Sequence, residues 1–165
     1  MKLKRIASLM VLAGATLLSN SVRAEEEFTG DKKLACEAIL CLSTGSRPSE
    51  CSPSMDRYFG IKKKKLSDTL DARRDFLSIC PAANESSEMV SLVQYLSRGA
   101  GRCDAASLNR DLYRALGSGG DAGYYDEYIE DKLPSYCAQY WGHEYVDESL
   151  LTVRYDKDLG RWVDQ

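Results

Sequence analysis

Histidine occurs once in this 165-residue chain, at His143, and no Cys-x-x-Cys pair occurs at all. The first shortage leaves too few imidazoles for a histidine-built metal centre. The second removes the dithiol motif of common redox and zinc sites. No Gly-x-Ser-x-Gly elbow is present, so a familiar serine-nucleophile signature is missing too. Positive charge is not in excess either: 22 Lys and Arg face 25 Asp and Glu, a net charge of −3. General nucleic-acid binding draws most of its affinity from a basic face, and this balance argues against it. Beyond the first twenty residues no apolar run is long enough to span a bilayer, which takes about 20 residues.

What is present begins at the start. MKLKRIASLMVLAGATLLSNSVRA opens with Lys2, Lys4 and Arg5. An uncharged, mostly apolar run from Ile6 to Leu18 follows, and Val22-Arg23-Ala24 offers a small-residue cleavage site. That is the layout of a secretory signal peptide. Cleavage is expected after Ala24, which leaves residues 25–165 as a single domain and places it in the periplasm. No lipid anchor is expected, because the first cysteine, Cys36, lies far past the apolar run. Removing four basic residues and no acid takes the net charge from −3 to −7.

All six cysteines, Cys36, Cys41, Cys51, Cys80, Cys103 and Cys137, lie after the expected cut. An even count in an exported chain reads as a disulfide framework rather than a metal or redox site. No bound metal and no cofactor are expected. Six cysteines allow fifteen pairings. Cys36 and Cys41 sit about 140° apart on a helix, so they should not pair with each other if this stretch is helical. The favoured set is Cys41–Cys51, Cys36–Cys80 and Cys103–Cys137. The main competitor pairs Cys36 with Cys51 and Cys41 with Cys80.

Helical periodicity dominates. Helices are expected over 33–42, over SPSMDRYF with Ser52 as cap, over 62–79, over 86–98, and over 104–116 from the Asp104 cap. The third should bury a stripe of Leu66, Leu70, Leu77 and Cys80. The glycine-rich GSGGDAG, 117–123, is a permissive link. The aromatic stretch after it reads as two helical pieces divided at Pro134. LLTVRYDKDLGRWVDQ reads as a terminal β-hairpin. The fold class is therefore mainly α: a compact, disulfide-stapled helical domain with a small C-terminal β-hairpin.

Few side chains suggest chemistry. His143 reads as a surface or structural histidine, since no nucleophile is assigned to it. Glu37, inside an apolar segment, is the best general-acid candidate for a peptidoglycan-active enzyme. A wet-face carboxylate is the plainer reading, and no second catalytic carboxylate stands out. Lys62-Lys63-Lys64-Lys65 opposes the macrodipole of the helix it is expected to open. It is either a solvated run or a patch for acidic lipid or an acidic partner. Tyr124, Tyr125, Tyr128, Tyr136, Tyr140, Trp141 and Tyr145 are too many rings for one short helix pair to bury. Some should be exposed and available to a protein partner. The permissive link before them would also allow a swapped homodimer, with a plain surface loop as the simpler alternative.

The block ACEAILCLSTGSRPSECSPSMDRYF, followed by a basic segment ending DFLSICP, resembles the TrbM/KikA family of conjugal transfer proteins. The likeness covers roughly residues 34–82, with a weaker echo in Gly160-Arg161-Trp162-Val163. It implies a single TrbM-like helical domain over 25–165. It also implies a periplasmic accessory protein of plasmid conjugative transfer, supporting type IV secretion system assembly or mating-pair formation. Its partners would be type IV secretion components. The family supplies no catalytic motif to carry over, so the protein is expected not to be an enzyme. The alternative is a periplasmic peptidoglycan-active enzyme or an inhibitor of one.

Overall fold

The computed structural model of the protein describes residues 29–117 and 125–165. The expected signal peptide and its cut after Ala24 lie outside the described residues, as do Tyr124 and all of the glycine-rich link except Gly117. The described chain forms six α-helices and two two-stranded antiparallel sheets, the second of them the C-terminal hairpin.

Helix α1 (Gly30–Ser43) carries Ala35, Ala38, Ile39 and Leu42 on its buried side. Helix α2 (Ser52–Phe59) starts one residue earlier than a Ser52 cap would place it and has Pro53 in its first turn, where a missing N–H costs nothing. Helix α4 (Ser87–Gly99) is capped by Ser86, whose side chain accepts from the Met89 N–H at 3.2 Å. It buries Leu92, Val93 and Leu96. The chain then turns through Gly101, whose φ of +75° is the left-handed conformation that glycine adopts freely. Helix α4 packs on α1, α3 and α6, so it is the centre of the bundle.

Helix α3 differs from expectation. It spans Leu66–Leu77, and Lys62–Lys65 lie before it in a non-helical segment. Four adjacent cations at a helix N-terminus would oppose the macrodipole, and the helix begins after them. Its buried residues are Thr69, Arg73, Phe76 and Leu77, whereas Leu66 is 55% exposed. A polar residue and a cation on the inner face hid this stripe from an apolar pattern. Arg73 lies 5.0 Å from the Tyr58 ring and 5.3 Å from the Phe59 ring. Its Nη2 also donates to the Phe59 carbonyl at 3.5 Å, at the negative end of α2.

The expected helix over 104–116 is also shorter. Asp104 does cap it, accepting from the Ser107 N–H at 2.8 Å, but α5 ends at Asp111. Residues Tyr113–Gly117 form strand β1, antiparallel to β2 (Tyr125–Ile129) with Tyr113 opposite Ile129. The first expected aromatic helix is thus a strand. Its run of tyrosines and isoleucine suits a pleated surface, and the partner strand decides the outcome. The pairing folds the aromatic segment back on its own chain. The second piece is helical, as α6 (Ser135–Trp141).

The terminal hairpin, β3 (Val153–Asp156) and β4 (Arg161–Asp164), stands where expected. Asn109 of α5 holds it by a reciprocal pair: it accepts from the Trp162 N–H at 2.8 Å and donates to the Trp162 carbonyl at 2.9 Å. The Trp162 indole N–H donates to the Glu130 carbonyl and the Tyr155 hydroxyl to the Ile129 carbonyl, both at 3.0 Å. The hairpin therefore props the base of the β1–β2 arm.

Candidate functional site

The cysteines form Cys36–Cys80, Cys41–Cys51 and Cys103–Cys137, the same three pairs favoured from sequence. Cys36–Cys80 ties α1 to the end of α3 across 44 residues. Cys41–Cys51 closes the short turn between α1 and α2. Cys103–Cys137 anchors α6 to the start of α5.

Two buried tyrosines knit the same body. The Tyr58 hydroxyl donates to the Leu96 carbonyl at 3.1 Å, and the Tyr140 hydroxyl to the Leu42 carbonyl at 2.6 Å. Burial pushes both phenols up from their ordinary value, Tyr58 well up, against the opposing charges of Arg73 and Arg47 respectively. Neither phenol is poised to exchange a proton near neutrality.

Glu37 is part-exposed at the edge of α1, with Lys33 3.7 Å from its carboxylate one turn away. This is the wet-face ion pair of an i,i+4 helix, not an acid in an apolar pocket. His143 is more engaged than sequence suggests. Its Nδ1 accepts from the Tyr145 N–H at 3.2 Å, which puts the ring proton on Nε2. Nε2 then faces the Glu88 carbonyl at 3.1 Å and the Ser91 hydroxyl at 2.9 Å. In this tautomer the nitrogen beside Ser91 is a donor, so it does not act as a base toward that hydroxyl. His143 joins the 142–146 turn to α4, and the rings of Tyr95 and Tyr145 meet it edge-on.

The side chains of Tyr124 and Tyr125 lie outside the described ones, and the other five rings of the aromatic group divide as expected. Tyr140 is buried, Tyr136 and Trp141 are half-buried, and Tyr128 and Tyr145 are exposed. The Arg102 guanidinium covers the Tyr136 ring at 4.0 Å. Tyr113, which sequence reading did not single out, adds a further exposed ring on β1. The strand pattern would have flagged it had β1 been recognised.

Sequence reading also missed a groove beside the lysine run. It has a volume of about 460 Å³, with Ile61, Phe76 and Ile79 offering apolar surface and Arg57, Lys62 and Lys63 at its border. Arg57 makes two hydrogen bonds to Asp31, at 3.0 and 2.8 Å, which hold that carboxyl below its usual range. The guanidinium also lies 4.8 Å from the Phe76 ring. The missed signal was the succession of two aromatic residues, an apolar one and two basic ones from Tyr58 to Lys63. Among the described residues, no group of three or more His, Cys, Asp or Glu could hold a metal ion.

The TrbM family model matches residues 27–165. The chain belongs to the TrbM family. Membership makes it a conjugal-transfer-related protein and suggests involvement with the transfer machinery. The match extends the likeness seen at residues 34–82 through the second half of the chain, including the β1–β2 arm and the terminal hairpin. No curated protein and no solved structure matches this TrbM-family chain. Its three disulfides fit a secreted or periplasmic protein. Among the described residues no helix is long and apolar enough to cross a membrane.

Proposed function

We propose that this TrbM-family protein is a non-catalytic periplasmic accessory of conjugative transfer. It supports assembly of the type IV secretion machinery, or mating-pair formation, through protein contacts. The family match over residues 27–165 carries this reading. The candidate catalytic groups support it by their engagements: Glu37 with Lys33, and His143 with Tyr145, Glu88 and Ser91. The exposed Tyr113, Tyr128 and Tyr145 give partners, or a second copy, aromatic area to cover. The test is deletion of the gene from a transfer-competent plasmid. Transfer frequency should fall, the full chain should restore it, and a chain lacking residues 1–24 should not. Unchanged transfer on deletion would refute the reading. A cleared band on a peptidoglycan gel, lost in Glu37→Gln, would replace it with the enzymatic one.

A further inference from the structure

The lysine run does nothing for the fold that carries it. All four side chains of Lys62–Lys65 are exposed, and none meets a carboxylate among the described residues. They precede the N-terminus of α3, where positive charge is unfavourable. Yet their backbone is held firmly. The Lys63 N–H donates to the hydroxyl of buried Thr69 at 2.9 Å, and that hydroxyl donates to the Lys65 carbonyl at 3.1 Å. The cations are displayed from a fixed rail, which lowers the entropy a ligand must remove to engage them.

The rail borders the groove described above. Ile79 is 43% exposed there. The charges already in the groove are largely spoken for. Arg57 is paired with Asp31, and Asp75, the carboxylate in its lining, meets Arg74 at 3.2 Å. What remains unsatisfied is a row of cations beside an apolar floor. The complementary ligand carries several carboxylates around at least one apolar side chain. A flat anionic lipid surface fits less well. Asp68 and Asp71 are exposed on the helix that follows the lysines and do not line the groove. A charged plane would press against them, whereas a chain lying in the groove can place its carboxylates at the lysines alone.

We infer that the groove between Arg57, Lys62–Lys63 and Ile79 is a docking site for an acidic, apolar-anchored segment of a partner protein. The inference deepens the accessory reading by giving the partner's chemistry, and it rests on that reading for the partner being another protein.

Fluorescence anisotropy tests it, with oxidised residues 25–165 and a labelled peptide Glu-Glu-Phe-Glu-Leu-Glu-Glu as the probe. Binding should weaken steeply with added salt. Changing Lys62–Lys65 to Gln should weaken it about tenfold or more, and Ile79→Ser should weaken it roughly threefold. Both sets of side chains are substantially exposed, so circular dichroism should report an unchanged fold. Equal affinity in the quadruple Gln variant overturns the inference. So does lysine-dependent binding to phosphatidylglycerol vesicles without peptide binding. So does binding about tenfold tighter by a chain that starts at Thr29, since Glu25-Glu26-Glu27-Phe28 would then be the occupant. If peptide binding fails while gene deletion still abolishes transfer, the docking site falls and the accessory reading stands.

Discussion

Gly99→Ala should destabilise the protein, although the same change at an open helical position usually helps. Gly99 is the last residue of α4 and is buried against α6. A Cβ there would stand 2.5 Å from the Tyr140 Cβ, 2.7 Å from its Cγ and 2.8 Å from its Cδ1. These atoms belong to the rigid root of the side chain, so a rotamer change cannot clear all three. Helix α6 cannot drift away freely either, because Cys137 bonds it to Cys103 and Tyr140 bonds it to the Leu42 carbonyl. Overpacking of this kind costs about 1–3 kcal/mol. Displacing the Tyr140 hydroxyl would add about 0.5–1.5 kcal/mol. Against this, alanine gains up to about 1 kcal/mol of helix propensity. The clash wins, with a net loss of about 1–3 kcal/mol. Urea unfolding of the oxidised protein reads it directly as a lower midpoint at constant slope. Placing Gly99→Ala in a Tyr140→Ala background should shrink the penalty, because two of the three contacts are gone. A Gly99→Ala variant more stable than the parent by about 1 kcal/mol would refute the close-approach argument.

Paired substitution Cys36→Ser with Cys80→Ser should cost about 4 kcal/mol, and Cys41→Ser with Cys51→Ser about 2.5, by the lengths of the loops they close; thermal unfolding of the two variants gives the order. Stability should fall as pH rises above about 10, where an unfolded phenol ionises but buried Tyr58 keeps its proton. Tyr58→Phe should make that alkaline slope shallower, measured by short-time unfolding between neutral and high pH. Asn109→Ala should strand the Trp162 N–H and cost about 1–3 kcal/mol. Amide exchange over 153–164 should speed up, and protection equal to the parent's would contradict the anchoring of the hairpin by Asn109.

Local chemistry made part of this fold legible. Ser86 and Asp104 announce helix starts because capping is a matter of one side chain and the next three residues. Helix geometry set Cys36 against pairing with Cys41, and the favoured set is the one that forms, where the competitor would have paired Cys36 with Cys51 and Cys41 with Cys80. The terminal hairpin followed from β-branched and aromatic residues flanking a turn. The rest depended on distant partners. Nothing within Tyr113–Gly117 says strand until Tyr125–Ile129 lies beside it. Arg73 spoiled the α3 stripe because its burial depends on Tyr58 and Phe59, about fourteen residues earlier. The groove was hidden for the same reason. Its floor combines Ile61 with Phe76 and Ile79, residues that no single window of sequence shows as one surface.

The order of the disulfides has a consequence for breakage of the chain. The span 36–80 encloses 41–51, while 103–137 stands apart. A single proteolytic cut inside either outer span leaves the two fragments covalently joined. A cut between 81 and 102 does not, because no bond crosses that interval. That interval contains α4, the helix on which α1, α3 and α6 all pack. Proteases need an exposed, extended backbone; the helical hydrogen bonding of α4 denies it to them over 87–99, whereas Asn84 and Glu85 just before it are exposed and not α-helical. The vulnerable point is therefore the short segment 81–86, which lies between the two bridged halves and outside α4. A molecule nicked inside 36–80 or 103–137 should therefore run as one band without reductant and as two with it, and one nicked within 81–86 as two bands under both conditions.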